Sequence, residues 1–292
     1  MSTVIIINPI SGGASPRVAR ARAQLALAVV DAHGDPVEVL LTEAVGHACE
    51  LAKSAVRRGA RLVLAWGGDG TINEIASALA FDDVPLGIVP AGSGNGLARE
   101  LGVHPRPERA IADALQAVPR AMDLGEIGGR LFANMAGVGF DAHIASRFAA
   151  ATRRGFVGYA GITARALTSY VPQQYRITIA GVETAHRAIL VTLANSAQFG
   201  NNARIAPGAR VDDGELDLVV MEERSRLATI CQVPRLFNGT VERVRGCTIR
   251  RVREVTIAAD RPMTYHVDGE PVAGGTTLRG RIHPGALMVA VR

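Results

Sequence analysis

Leu62-Val63-Leu64-Ala65-Trp66-Gly67-Gly68-Asp69-Gly70-Thr71-Ile72-Asn73-Glu74 reads as a short apolar strand, a glycine turn and the opening of a helix. Five apolar residues in a row, closed by glycines, suit a strand buried on both faces. Beyond the turn, Ile72, Ile75, Ala76 and Leu79 recur at the spacing of one helical stripe, and Thr71 with Glu74 spells a capping box. The same grammar repeats on either side. Residues 4–7 form an apolar run that ends in Asn8-Pro9-Ile10-Ser11-Gly12-Gly13, followed by a helical pattern over 16–30 with Ser15 as its cap. Residues 37–41 precede a helical pattern over 46–58, and residues 86–89 run into Pro90-Ala91-Gly92-Ser93-Gly94-Asn95-Gly96. Helices are expected from about Asn95 and over 107–117. Strands alternating with helices predict a mostly parallel sheet covered on both faces, with functional loops at the carboxyl ends of its strands.

Past Asp123 the period changes. Short strand-like runs occupy 131–135, 175–179, 188–193, 216–221, 252–257, 263–267, 276–282 and 287–291, and turns such as Asp212-Asp213-Gly214 and Asp268-Gly269 separate them. One helical insertion is expected at about 140–169. The second half therefore reads as antiparallel β, a sandwich or open barrel, giving domains at 1–124 and 125–292.

Composition narrows the chemistry. The 292 residues are 48% hydrophobic and 20% charged, with a net charge of +5, which excludes disorder for most of the chain. Cys49, Cys231 and Cys247 are odd in number and make no CxxC pair, so a disulfide framework and a zinc knuckle are both excluded. A reduced, cytoplasmic protein is expected, soluble or at most peripheral to a membrane, since no run of about 18 apolar residues exists. Lys53 is the only lysine and lies in Leu51-Ala52-Lys53-Ser54, so no GxxxxGK[ST] phosphate loop is present. Any phosphate must be held by backbone amides, arginine or metal. Three glycine loops at strand ends supply such amides, reinforced by the partial positive charge of helix N-termini. Asp69, a carboxylate among anion-attracting amides, should repel a phosphate unless Mg²⁺ bridges them or it takes a proton; otherwise it is a turn residue.

Asn8 to Gly13, Gly67 to Glu74 and Pro90 to Ala98, in that order and spacing, resemble the diacylglycerol-kinase type of catalytic domain, a family of bacterial lipid kinases, sphingosine kinases and ceramide kinases. The likeness continues through Asn134 to Asp141, Asp212 to Leu218 and Asp268-Gly269-Glu270, and so covers nearly the whole chain. Gly67 to Thr71 alone is shared with NAD kinases and, in variant form, phosphofructokinases. The resemblance implies an α/β plus β fold: a Rossmann-like domain, then an antiparallel β-sandwich domain, with the active cleft between them. It implies ATP contacts at Asn8, Pro9, Ser11 and Gly12, at Thr42, along Gly67, Gly68, Asp69, Gly70, Thr71 and Asn73, and at Gly92, Ser93 and Asn95. Thr42 reads equally as a helix cap. Glu270 is the implied proton acceptor, with Asp268 and Asp69 as alternatives; read locally, the same residues are a hairpin turn followed by a solvated glutamate. A Mg²⁺ site is implied at Asp213 through its carboxylate and at Arg210 and Glu215 through their carbonyls, although Glu215 stands where the family has an apolar residue. Asp141 is the implied contact to a lipid headgroup.

The expected activity is ATP- and Mg²⁺-dependent phosphorylation of a lipid hydroxyl, on diacylglycerol or a sphingoid-base-like acceptor. The alternatives are a kinase of a soluble acceptor and a non-catalytic membrane-binding regulator. Residues 142–182 carry no acidic side chain, and Arg147, Arg153, Arg154, Arg165 and Arg176 interleave with Phe148, Phe156, Tyr159 and Tyr170. That pattern suits an anionic membrane surface and equally a solvated helix face or single-stranded nucleic acid. No nucleic-acid motif is present, so peripheral membrane contact is the expectation, and the resemblance also allows a homodimer. Residues 243–253 alternate like a strand with one basic face.

Overall fold

The computed structural model describes residues 2–13, 15–34, 36–149, 166 and 169–292, and they divide into two compact units: Met1–Met122 with Gly285–Arg292, and Asp123–Pro284. The first unit is built on β1 (Thr3–Ile7), β2 (Val37–Leu41), β3 (Leu62–Gly67) and β4 (Leu86–Pro90), parallel and in the order β2-β1-β3-β4. Helices α1 (Pro16–Asp31), α2 (His47–Arg57), α3 (Asp69–Leu79), α4 (Gly96–Glu100) and α5 (Pro107–Gln116) follow the strands. Ile5, Ile7, Leu64 and Trp66 pack with Ala26, Val30, Ala110 and Ile111 of α1 and α5. The alternate residues Val4, Ile6, Val63 and Ala65 are equally buried. That two-sided burial is why these strands read as unbroken apolar runs.

The third helix begins at Asp69, three residues earlier than its sequence suggests, so Thr71 lies inside the first turn and no capping box forms. Glu74 instead accepts the Gly46 amide at 3.0 Å. Ser15 occupies the α1 cap position without a side-chain cap bond. Residues 285–292 return to the first unit, where the sequence reading had ended the second domain at 292. Val289 pairs with Leu86, and Phe81 N–H bonds the Ala286 carbonyl at 2.7 Å.

The second unit contains β5 (Arg120–Ile127) from Asp123 onward, β6 (Arg130–Phe132), β7 (Met135–Gly139), β8 (Gln173–Ile179), β9 (Val182–Ala194), β10 (Leu216–Glu222), β11 (Cys247–Val252), β12 (Glu254–Ala258), β13 (Thr264–Val267), β14 (Glu270–Ala273) and most of β15 (Thr277–Val289). Its strands pair antiparallel in the order β14-β13-β7-β9-β8-β12-β15, with β10 and then β11 added beside β9. A core of Phe132, Val138, Tyr175, Leu193, Leu218, Ile257 and Tyr265 lies within it. Helix α6 (Phe140–Ala149) covers the first part of the expected insertion; Arg153, Arg154, Phe156, Tyr159 and Arg165 lie outside the described residues. The run 131–135 is broken at Ala133 and Asn134, the run 252–257 is two strands parted at Arg253, and 276–291 is mostly one long strand. Helix α7 (Arg226–Phe237), with Pro234 inside it, had no counterpart in the sequence reading.

Candidate active site

The three glycine loops of the first unit lie backbone against backbone. A side-chain carbon on Gly12 would stand 2.6 Å from the Ala91 carbonyl oxygen, and one on Gly92 would stand 2.8 Å from the Gly68 Cα. Gly12 also has φ +69°, which an L side chain rarely adopts. Side chains complete the lock. Asn8 Nδ2 donates to Thr71 Oγ1 at 2.9 Å, and Asn8 Oδ1 accepts the Ile10 amide at 3.1 Å. Asn95 sits at φ +49°; its Oδ1 accepts the Gly92 amide at 2.8 Å while its Nδ2 donates to the Gly92 carbonyl at 2.9 Å. Asp69 Oδ1 accepts the Gly96 amide at 2.8 Å, tying the second loop to the third. Burial raises its carboxyl pKa above the ordinary 3.8, against the amides of Gly96, Asn95 and Leu97. Asn8, Pro9, Ser11, Gly12, Gly67, Gly68, Gly70, Thr71, Gly92, Ser93 and Asn95 thus fall on one cluster of loops, with Asn73 on the first turns of α3. The first i→i−4 bond of α3, Ile72 N to Gly68 O, is 3.0 Å, so the amides before it lie outside the helical ladder and favour an anion. Thr42 is buried and donates its amide to the Ile7 carbonyl at 3.0 Å; Gly46 holds the α2 cap position, so Thr42 does not cap that helix.

Arg22 is a residue the sequence reading missed. From α1 its guanidinium donates to the Asn8 carbonyl at 3.3 Å and the Ser11 carbonyl at 3.1 Å, and it stands 6.0 Å from the centre of the Trp66 ring. Burial lowers its pKa. The available signal was its position: Ala19, Arg22, Ala26 and Val30 form one helical stripe, and a charge in a buried stripe has a partner.

In the second unit, Asp268 and Gly269 are the two residues of a hairpin between β13 and β14, with φ +47° and +88° and Val267 opposite Glu270. Positive φ at both positions is the signature of a type I′ turn, whose twist matches that of its strands. The Asp268 carboxylate accepts three amides: Ala133 at 2.8 Å on Oδ2, Asn134 at 2.9 Å and Met135 at 2.7 Å on Oδ1. These bonds explain the break between β6 and β7. They also correct the reading of Asp268 as an alternative proton acceptor, because its oxygens are committed to the backbone. Glu270 is exposed at the start of β14 and has no ion-pair partner among the described residues. A hairpin turn with a solvated glutamate and a presented carboxylate are the same geometry.

Beneath the hairpin lies a group the sequence did not reveal. His266 Nδ1 accepts the Gly269 amide at 3.3 Å, while its buried Nε2 lies 3.2 Å from Asp141 Oδ2 without forming a hydrogen bond among the described residues. Thr192 Oγ1 donates to the same Asp141 oxygen at 2.6 Å, and the Ala142 amide donates to the other at 2.8 Å. The Asp141 side chain is only 8% exposed, held between Thr192 and the start of α6. Burial pushes the nearby Tyr170 hydroxyl up to about 12 and raises that of Tyr175, so both stay protonated. The signal for His266 was alternation: on β13 it shares a face with Asp268.

The corner expected to hold Mg²⁺ is arranged differently. Asp213 Oδ1 accepts the Glu215 amide at 3.2 Å, while Asp213 Oδ2 and Glu215 Oε2 lie 3.8 and 3.7 Å from the Arg251 guanidinium of β11. Arg210 turns its side chain to Asp212 at 3.3 Å. Burial raises the pKa of Asp217, and Arg251 opposes that rise. Among the described residues no group of three or more His, Cys, Asp or Glu could hold a metal ion. The Arg251 guanidinium thus faces both carboxylates of the expected corner, Asp213 and Glu215, and competes there with any cation. Chelating divalent ions should leave the thermal midpoint unchanged by scanning calorimetry. A fall of several degrees would restore the metal site.

A parallel α/β unit with amide-lined loops at its strand ends, followed by an antiparallel β unit that presents a carboxylate on a tight hairpin, defines a phosphotransferase-type scaffold. Residues 2–127 match the Diacylglycerol kinase catalytic domain family, and residues 134–291 match the YegS C-terminal NAD kinase beta sandwich-like domain. The chain belongs to this family of lipid kinases. It is 31% identical over 263 residues to a Chromohalobacter salexigens protein named "Probable lipid kinase YegS-like", covering 88% of this chain and 84% of that one. A Pseudomonas fluorescens protein of the same name is 33% identical over 262 residues, covering 88% and 86%. A Mycobacterium tuberculosis protein named "Diacylglycerol kinase" is 31% identical over 247 residues, covering 80% and 77%. In fold, the crystal structure of a diacylglycerol kinase from Bacillus anthracis superposes with a TM-score of 0.76 at 18% identity, covering 100% of this chain and 97% of that one.

Proposed function

We propose that the protein transfers the γ-phosphate of ATP, taken up as its magnesium complex, to the hydroxyl of a lipid of the diacylglycerol or sphingoid-base class. The observation that carries this reading is the packing of Gly12 on Ala91 and of Gly68 on Gly92, which gathers three sets of anion-attracting amides in a chain of a lipid-kinase family. The amides of these loops and the N-terminus of α3 hold the triphosphate, a task no lysine performs here. Glu270 takes the proton of the acceptor hydroxyl as its oxygen forms a bond to the γ-phosphorus. The bond from that phosphorus to the β-bridging oxygen breaks, and ADP leaves. Magnesium bound to the nucleotide would supply neutralisation of phosphate charge. The Arg251 corner has no step in the reaction.

The test is incubation with γ-labelled ATP and detergent-dispersed diacylglycerol, long-chain base and ceramide, with NAD as a soluble control. A labelled lipid supports the proposal; label only in NAD, or in nothing, overturns it.

Asp69 yields a prediction in which stability and turnover move apart. Asp69→Asn keeps one oxygen for the Gly96 amide, removes the charge and puts an NH₂ group in place of the second oxygen. Because burial raises the folded-state pKa, the wild-type carboxylate costs stability once pH passes its ordinary 3.8, and that cost is complete above the raised value. Near neutral pH the variant should melt at or above the wild-type midpoint, with the difference closing as pH falls through the acid range. Its turnover should fall roughly tenfold or more, as expected when a charge beside a transferring phosphoryl group is lost. Melting curves and the labelled-ATP assay on one preparation check both halves.

A further inference from the structure

Helix α7 lies at the surface of the second unit and shows solvent an apolar stripe. Ile230, Val233 and Phe237 are 47%, 38% and 46% exposed and stand at i, i+3 and i+7, within one helical sector. Cys231 and Pro234 beside them are exposed too. Next to this stripe, Leu236 packs on the cluster of Val219, Val241 and Val244, and at the helix start Ser225 Oγ accepts the Ala228 amide at 3.3 Å as the cap. The helix is thus held through Leu236 and its cap, while the neighbouring sector of Ile230, Val233 and Phe237 is apolar and exposed. Isolated exposed hydrophobic residues need no explanation, but three aligned on one anchored helix do.

Charge identifies the occupant. From Arg224 to Arg253 the chain carries eight arginines and one acidic residue, Glu242, whereas the whole protein nets only +5. Arg224, Arg243, Arg245, Arg250 and Arg253 are exposed, while Arg251 faces Asp213 and Glu215. The short helical turn Val241–Arg243 packs beside α7, and among the described residues β11 pairs with β10 alone, so this basic ground borders the apolar stripe at a sheet edge. An apolar stripe rimmed by arginine matches the boundary of an anionic bilayer, where side chains enter the acyl region and cations meet the headgroups.

We infer that α7, through Ile230, Val233 and Phe237 with Arg243 and Arg245 on its rim, is the element by which the protein docks on an anionic lipid bilayer. The inference deepens the lipid-kinase reading and rests on it for its purpose. It adds α7, a helix absent from the sequence reading, to the basic run expected at 243–253, and differs from the basic-aromatic segment 142–182 on which peripheral membrane contact was expected.

The test is co-sedimentation, without nucleotide, with vesicles of phosphatidylcholine alone and of phosphatidylcholine with phosphatidylglycerol. Wild-type protein is expected to sediment with the anionic vesicles only, and to be released by salt. The Ile230→Ser, Val233→Ser, Phe237→Ser triple variant should lose roughly tenfold or more of that binding. Arg243→Gln and Arg245→Gln should each lose roughly fivefold. In detergent micelles the triple variant should phosphorylate lipid like wild type. An unaltered partition of the triple variant overturns the inference, as does a triple variant that turns from dimer to monomer by light scattering while still binding vesicles. Vesicle binding is measured without ATP, so a protein that docks but labels no lipid in micelles refutes the activity and leaves the docking face standing.

Discussion

Glu270→Gln is expected to lower kcat by about 10²–10⁴-fold, the range for loss of a positioned general base, with little change in KM for ATP and none in the thermal midpoint. The argument is geometric. Glu270 is exposed at the first position of β14, so neither core nor salt bridge among the described residues depends on its charge. Glutamine has the same shape and keeps the strand pairing opposite Val267. What it removes is the ability to take a proton. Steady-state kinetics with lipid in micelles, beside a melting curve, measure both. A variant within threefold of wild type would remove Glu270 from the proton step. Since Asp268 is committed to three amides, the base would then have to be sought elsewhere.

The parallel half of the fold could be read almost residue by residue because each strand is buried on two faces, leaving a run with nothing polar in it. The residues 37–41 expectation coincides with β2, and those for 62–66 and 86–89 fall one residue short of β3 and β4. Helix starts were less legible where tertiary bonds replaced local ones. Glu74 is at the right spacing to cap its own helix, yet it bonds the Gly46 amide, a residue distant in sequence. In the antiparallel half the alternation survived but the breaks did not. Nothing local to Ala133 and Asn134 says that their amides belong to a carboxylate at position 268. The glycine loops were visible because close backbone approach demands glycine. Arg22, His266 and Arg251 were not, since each acts through a partner far along the chain. The arginine at the expected metal corner was hidden for the same reason: Asp213 and Glu215 are two residues apart in sequence, but the cation that faces them comes from β11.

Asp268→Asn should be the most destabilising single substitution at the site, and its effect should appear first in structure and only secondarily in turnover. Asparagine tolerates the left-handed φ of +47° about as well as aspartate, so the turn itself is not penalised. The side chain is another matter. The carboxylate accepts three amides, whereas the carboxamide has one oxygen to accept with and an NH₂ that must face a donor. Losing charge-assisted bonds and stranding at least one buried amide costs about 3 kcal/mol. In a unit of this size that lowers the midpoint by roughly 6–12 °C. The link between the hairpin and residues 133–135 should open at the same time, giving faster hydrogen exchange at those three amides than at the neighbouring β7 amides. Glu270, carried on the loosened hairpin, would lose its placement, so kcat should fall without any titratable group of the reaction having been changed. If Asp268 were itself the proton acceptor, the variant would lose activity with its midpoint and its exchange pattern intact. That outcome would reverse the roles assigned here to Asp268 and Glu270.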